Sequence, residues 1–149
     1  MLYYIHMKKN IDTYILQTIK KISEPAARVA LALIFIWFGA IKVIFLSPAN
    51  ELVSALLSKT MPFIPFTQFI IILGIFEVII GILFLIPKMA RVAVIILLLH
   101  MGMTVLPLVL LPDITWSGLL IPTLEGQYII KNVALIALGL GVVAHFHET

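Results

Sequence analysis

The chain has 149 residues, of which 62% are hydrophobic and 11% charged, with a formal net charge of +3 and no cysteine. A soluble domain is nearer half apolar and a quarter charged, and here the excess is gathered in long runs, which makes the class a polytopic membrane protein. The lack of thiols excludes disulfides, thiolate-bound iron–sulfur clusters and thiol catalysis within the chain. The positive charge is no nucleic-acid signature, and its placement matters more than its size because lysine and arginine set membrane orientation.

Residues 1–24 form an N-terminal segment ahead of the apolar runs. It carries Lys8, Lys9, Lys20 and Lys21 but lacks a compact apolar core followed by a small-residue cleavage site, so it does not read as a cleavable signal. Ile11, Ile15, Ile19 and Ile22 recur at helical spacing. The segment is expected to form a short interfacial helix with its lysines near anionic headgroups; a frayed tail is the other reading.

Residues 25–149 are expected to form the membrane domain. The first span covers 25–46, with Ser23 as its cap and Pro25 in its first turn, and "SPAN" (47–50) ends it. Residues 51–66 are amphipathic and then broken by Pro62 and Pro65, which suits a short helix and loop at the far surface. The second span covers 67–86 and is closed by Pro87; the link "PKMAR" contains Lys88 and Arg91. The third span covers 90–111, with Pro107 kinking or ending its last turn. A loop follows, with Trp116 as an interface anchor. The fourth span covers 127–144 and ends in "HFHET".

Lys8, Lys9, Lys20, Lys21, Arg28, Lys88 and Arg91 fall on one side of this arrangement, and Lys59 falls on the other. The excess of lysine and arginine puts both termini and the 88–91 link in the cytoplasm. Short links favour an all-α fold, an antiparallel four-transmembrane-helix bundle.

Four ionisable residues lie inside the spans: Lys42, Glu77, His100 and Lys131. Such groups cost about 2.5–3.5 kcal/mol each on insertion scales, so they usually face the interior and mark function. At roughly 1.5 Å per residue, Lys42 and Lys131 fall in the outer third of their helices, and Glu77 and His100 near the middle. All four are expected to line one cavity that opens outward. Gly74, Glu77 and Gly81 share a face, which lets a neighbouring helix approach closely. Gly39 and Lys42 share another, as do His100, Thr104 and Pro107, with Met103 alongside. Gln127 with Lys131, and Tyr128 with Asn132, form i, i+4 pairs at the polar end of the last span.

Each residue has a plainer reading. Lys42 and Lys131 are long enough to snorkel to the interface. Glu77 is too short and too central for that; its plain role is a structural ion pair with Lys42 or Lys131, or a protonated carboxyl bonded to a neighbour. His100 can hydrogen-bond across the helices with no further task. Trp37 and Trp116 read as packing and interface residues. His145 and His147 make a weak metal site without a third ligand. There is no Walker loop, no G-x-G-x-x-G after a strand and no H-E-x-x-H.

Three stretches carry a resemblance to a known family: "RVALALIFIWFGAIKV" (28–43), with an aromatic-Gly-x-x-Lys pattern; "GIFEVIIGILFLIPKMARVAV" (74–94), with a glutamate between two glycines and a basic link; and "EGQYIIKNVALIALGL" (125–140). Across residues 28–143 the chain resembles the DoxX-like superfamily of four-helix bacterial membrane proteins, including its YkgB-like branch. The positions carried over are Lys42, Glu77, Lys131 and Asn132. Members of that branch pair lysine with aspartate where this chain has Lys131 and Asn132, which removes one acid, and their longer outer loops are missing.

The resemblance implies a redox-related membrane subunit facing a quinone that is not covalently bound, and acting with a partner oxidoreductase. In that reading Glu77 and His100 are the acid–base groups, and Lys42, Gln127, Lys131 and Asn132 line the quinone site. The alternative is a non-enzymatic scaffold or assembly subunit whose buried charges fix helix register. A small proton-linked transporter is a further alternative, although no discontinuous helix or inverted repeat supports it. Beyond the bilayer, a homo-oligomer is compatible with the sequence and a nucleic-acid partner is not expected.

Overall fold

A computed structural model describes the backbone of residues 2–145 and the side chains of residues 12–144. The side chains of Lys8, Lys9, Ile11 and His145, and all of His147, lie outside the described residues. The chain forms α1 (Leu2–Val43), α2 (Asn50–Thr60), α3 (Phe66–Leu85), a 3-10 turn (Pro87–Met89), α4 (Ala90–Thr104), α5 (Leu106–Leu110), α6 (Pro112–Thr115), strands β1 (Trp116–Gly118) and β2 (Ile121–Pro122), and α7 (Leu124–His145). Among the described residues, four stretches are long and apolar enough to cross a membrane: Asp12–Val43, Phe66–Leu85, Pro87–Leu110 and Leu124–Ala144.

The first helix departs from expectation. There is no separate interfacial helix, because α1 runs without interruption through Ser23 and Pro25. Ser23 does not cap: its hydroxyl donates to the Lys20 carbonyl at 3.2 Å, a back-bond made from within a helix. Pro25 has a φ compatible with helix and forfeits only the bond that its missing N–H would have made to Lys21. At its other end α1 stops at Val43, short of 46. The Phe45 N–H donates to the Lys42 carbonyl (3.0 Å) and the Leu46 N–H to the Ile41 carbonyl (2.9 Å), and Phe45 has φ 61°. These two bonds and the left-handed residue make a Schellman motif, normally built on glycine.

The other spans lie close to their expected limits. The third is two helices, because Pro107 has no N–H for the carbonyl one turn back, and α4 ends at Thr104 before α5 begins. The expected loop after it contains a small antiparallel hairpin, Trp116 opposite Pro122 and Gly118 opposite Ile121, so the fold is helical but for these two strands. Thr115 and Trp116 fasten the hairpin to the third span: Thr115 Oγ1 donates to the Leu111 carbonyl at 2.9 Å and Trp116 Nε1 to the Leu108 carbonyl at 2.9 Å. Lys59 Nζ of α2 donates to the Leu110 carbonyl at 2.7 Å and closes the same end.

α1 packs most extensively on α3 and also touches α7; α4 touches α3 and α7. Between them lies a core that includes Leu31, Phe35, Ile80, Phe84, Leu97 and Val142. α1 and α3 run antiparallel, since Arg28 meets Phe84, Ala32 and Ile36 meet Gly81, and Gly39 meets Gly74.

Candidate functional site

The site begins with the glycines of α3. A Cβ on Gly74 would lie 2.6 Å from the Gly39 carbonyl oxygen, and one on Gly39 would lie 2.5 Å from that of Gly74. A Cβ on Gly81 would come within 2.9 Å of the Ala32 carbonyl oxygen. Hydrogen in place of Cβ lets the two backbones touch, as small residues do between membrane helices. Glu77 lies between these glycines on the same buried face, with Ile70, Ile80 and Phe84. It is twelfth of the twenty residues of α3, about 16 Å along that helix at 1.5 Å per residue.

Lys42 stands in the last turn of α1. Because α1 ends opposite Gly74, Lys42 is deeper than the outer third that counting residues suggests. It does not snorkel: the residue is 7% exposed, and its Nζ donates to Glu77 Oε2 at 2.6 Å. A cation in the last turn also opposes the partial negative charge of the exposed carbonyls there. From α4, His100 Nε2 approaches Glu77 Oε1 at 3.3 Å. Both carboxylate oxygens are therefore engaged, and Glu77 and His100 are 6% and 3% exposed.

The ring of His100 sits between two aromatic edges, Phe35 at 5.9 Å and Phe76 at 5.8 Å between centroids. Its Nδ1 is buried and has no hydrogen-bond partner among the described residues. Lys42 and Glu77 already cancel in charge, and a neutral imidazole leaves the group neutral. Facing an acceptor-only carboxylate oxygen at 3.3 Å, Nε2 is the nitrogen suited to carry the hydrogen, which leaves the lone pair on Nδ1. The arrangement is a short line, Lys42–Glu77–His100, whose far end is an unsatisfied buried acceptor. Buried polar atoms are rarely left so.

The fourth expected member is elsewhere. Lys131 is exposed, with its Nζ 5.6 Å from the ring centroid of Tyr128, and among the described residues it enters no ion pair with Glu77. The reason is angular. At this end of α7 the buried residues are Gly126 and Ile129, spaced by three, and a residue two positions from Ile129 points about 200° away at 3.6 residues per turn. Gln127 is exposed for the same reason, and Asn132, three positions from Ile129, is half-buried. The expected cavity shared by four ionisable groups is therefore a contact among three. On α4 the buried methionine is Met101, while Met103 is 52% exposed.

Arg28, grouped above with the basic residues of one side, is 8% exposed within α1. Its Nε donates to the Phe84 carbonyl at 2.7 Å, and one terminal nitrogen pairs with Glu24 Oε1 at 3.1 Å. It satisfies a carbonyl of the last turn of α3, where helices have no internal donors. The signal available in the sequence was the Glu24–Arg28 spacing of four on an apolar helix. Phe35 and Phe76 gave none, being two aromatics among many apolar neighbours.

No family model, curated protein or solved structure matches the chain.

Proposed function

We propose that this chain is an integral membrane subunit in which Lys42, Glu77 and His100 exchange a proton with a lipid-soluble quinone couple, in concert with a partner oxidoreductase. The observation that carries the reading is His100 Nδ1, buried and unpartnered at the end of a charge-balanced line. A lone pair in that position accepts a hydrogen bond from the hydroxyl of a hydroquinone. The quinone supplies the two-electron, two-proton couple, and the partner supplies or takes the electrons. A proton accepted at Nδ1 lets the Nε2 proton pass to Glu77 Oε1, and Lys42 holds the other carboxylate oxygen in place. Phe35 and Phe76 keep water from the imidazole. Gln127 and Lys131 have no part in this relay.

The same reading places the protein in a bacterial cytoplasmic membrane with both termini on the cytoplasmic side, as the lysine and arginine distribution favours. Its four long helices form an antiparallel bundle of the DoxX-like type, which the antiparallel contact of α1 with α3 and the contacts of α4 and α7 support. The test is extraction of lipid-soluble molecules from gently purified protein, followed by titration with a hydroquinone. Stoichiometric binding that His100→Gln abolishes supports the proposal. Equal binding by both proteins overturns it.

A second reading rests on a specific contact. The Lys42–Glu77 bond of 2.6 Å joins the two helices whose backbones touch at Gly39 and Gly74. In that reading the pair fixes helix register and the protein is a scaffold for membrane partners. A folded double substitution, Lys42→Met with Glu77→Gln, that retains partner assembly favours it.

A further inference from the structure

α1 is too long for the membrane it crosses. The stretch Asp12–Val43 has 32 residues, about 48 Å at 1.5 Å per residue, against a hydrocarbon core of about 30 Å. Its excess lies at the N-terminal side. Arg28 is level with Phe84, in the last turn of α3, so the residues before it extend past the end of α3. From Asp12 to Arg28 that extension is about 24 Å, and it carries Lys20, Lys21 and Glu24.

Large apolar side chains remain uncovered on this extension. Ile15 is 47% exposed, Ile19 52% and Ile22 55%, and Val29 at its base 58%. With exposed Ala26, these residues are spaced by four, three, four and three positions. That is the alternation of a coiled-coil seam. The residues flanking the seam are Leu16, Thr18, Ser23 and Pro25, none charged. Gln17, Lys21 and Glu24 lie on the far side. A seam facing an identical seam therefore meets no like-charge repulsion. Asp12, at the preceding seam position, marks its end.

We propose that residues 15–29 of α1 pack in parallel and in register against the same residues of a second copy of this chain. Two copies in one membrane share an orientation, so their extensions leave on the same side, which fixes the parallel sense. Confinement to the membrane raises the effective concentration, so a short seam suffices. A helix lying on the membrane surface would need a break near residue 24, and α1 has none.

The chain has no cysteine, so a single introduced thiol is unique. The full chain, expressed with two different tags in the same native membranes, carries Ile22→Cys or Ile15→Cys on the seam, or Gln17→Cys on the opposite face. All three positions are exposed, so the variants fold. After treatment with a membrane-permeant oxidant, both seam variants should give a disulfide-linked dimer containing both tags, and Gln17→Cys should give none. Equal linking of the two faces, or none at the seam, overturns the proposal. So does a seam thiol shielded from aqueous maleimide yet not cross-linked, which places it against lipid. A cross-link to a chain of different mass also overturns it.

Discussion

Gly39 and Gly74 meet backbone to backbone, each blocking the space that a Cβ on the other would need, at 2.5 and 2.6 Å from the opposing carbonyl oxygens. The contact sets the end of α1 beside Gly74, and from there the long side chain of Lys42, three residues beyond Gly39, reaches back along α3 to Glu77, three residues beyond Gly74 in the antiparallel partner. Gly74→Ala must push the helices apart, because the obstruction is a carbonyl and not a flexible side chain. Overpacking of this kind destabilises by about 1–3 kcal/mol. Gly102, also helical, has nothing among the described residues within 4 Å of the same position, and Gly102→Ala should be neutral or stabilising by up to about 1 kcal/mol. Thermal unfolding in one detergent compares the two. Equal effects would show that the α1–α3 contact is looser than described.

The Lys42–Glu77 bond predicts strong non-additivity. Lys42→Met leaves a carboxylate with only His100 beside it, and Glu77→Gln leaves a buried ammonium without a counter-charge. Removing one partner of a buried pair costs about 3–5 kcal/mol, whereas replacing both is often close to neutral. The double variant should thus be more stable than either single one. A double-mutant cycle from denaturation midpoints gives the coupling. Additive losses would mean that the two groups do not depend on each other.

Arg28 is predicted to matter for stability through a single carbonyl. Its Nε bond to the Phe84 oxygen is 2.7 Å long and buried, and hydrogen bonds from charged groups contribute about 1.5–3 kcal/mol. Arg28→Met should destabilise by about that amount. Arg28→Lys keeps the charge but cannot reach Glu24 and Phe84 with one planar fork, so it should fall between. The readout is the unfolding temperature of the three proteins side by side.

Counting residues put Glu77 near the middle of its helix but set Lys42 too shallow, and direction around a helix was legible only where glycines mark a face. Glu77 was placed correctly because its two flanking glycines define a face, and Lys42 followed from Gly39. α7 offers no such guide: residues 133–144 are apolar on every side, so nothing in the sequence distinguishes the face of the buried Ile129 from that of Lys131. Ser23 and Pro25 read as helix punctuation because each is common at a helix start, yet both fit the helix interior, where Ser23 bonds back to Lys20. Arg28 was grouped with the flanking basic residues because it stands one turn into the expected span, where a cation ordinarily faces the headgroups. The hairpin tip has no glycine at its left-handed position, which Leu120 occupies at φ 58°, so the usual sequence signal for such a turn is missing.

His100 allows binding to be separated from folding. Glutamine can place its amide nitrogen where Nε2 now lies, 3.3 Å from Glu77 Oε1, but it has no acceptor in place of Nδ1. His100→Gln should therefore stay within about 1 kcal/mol of the native stability while losing hydroquinone binding. His100→Phe removes both nitrogens and leaves Glu77 Oε1 unpartnered in a buried setting, which should cost about 1–3 kcal/mol. Unfolding midpoints and hydroquinone titrations on the three proteins separate the two roles. If glutamine preserved binding as well as stability, the open nitrogen would have no part in the chemistry, and the three residues would be a structural clamp between α1, α3 and α4.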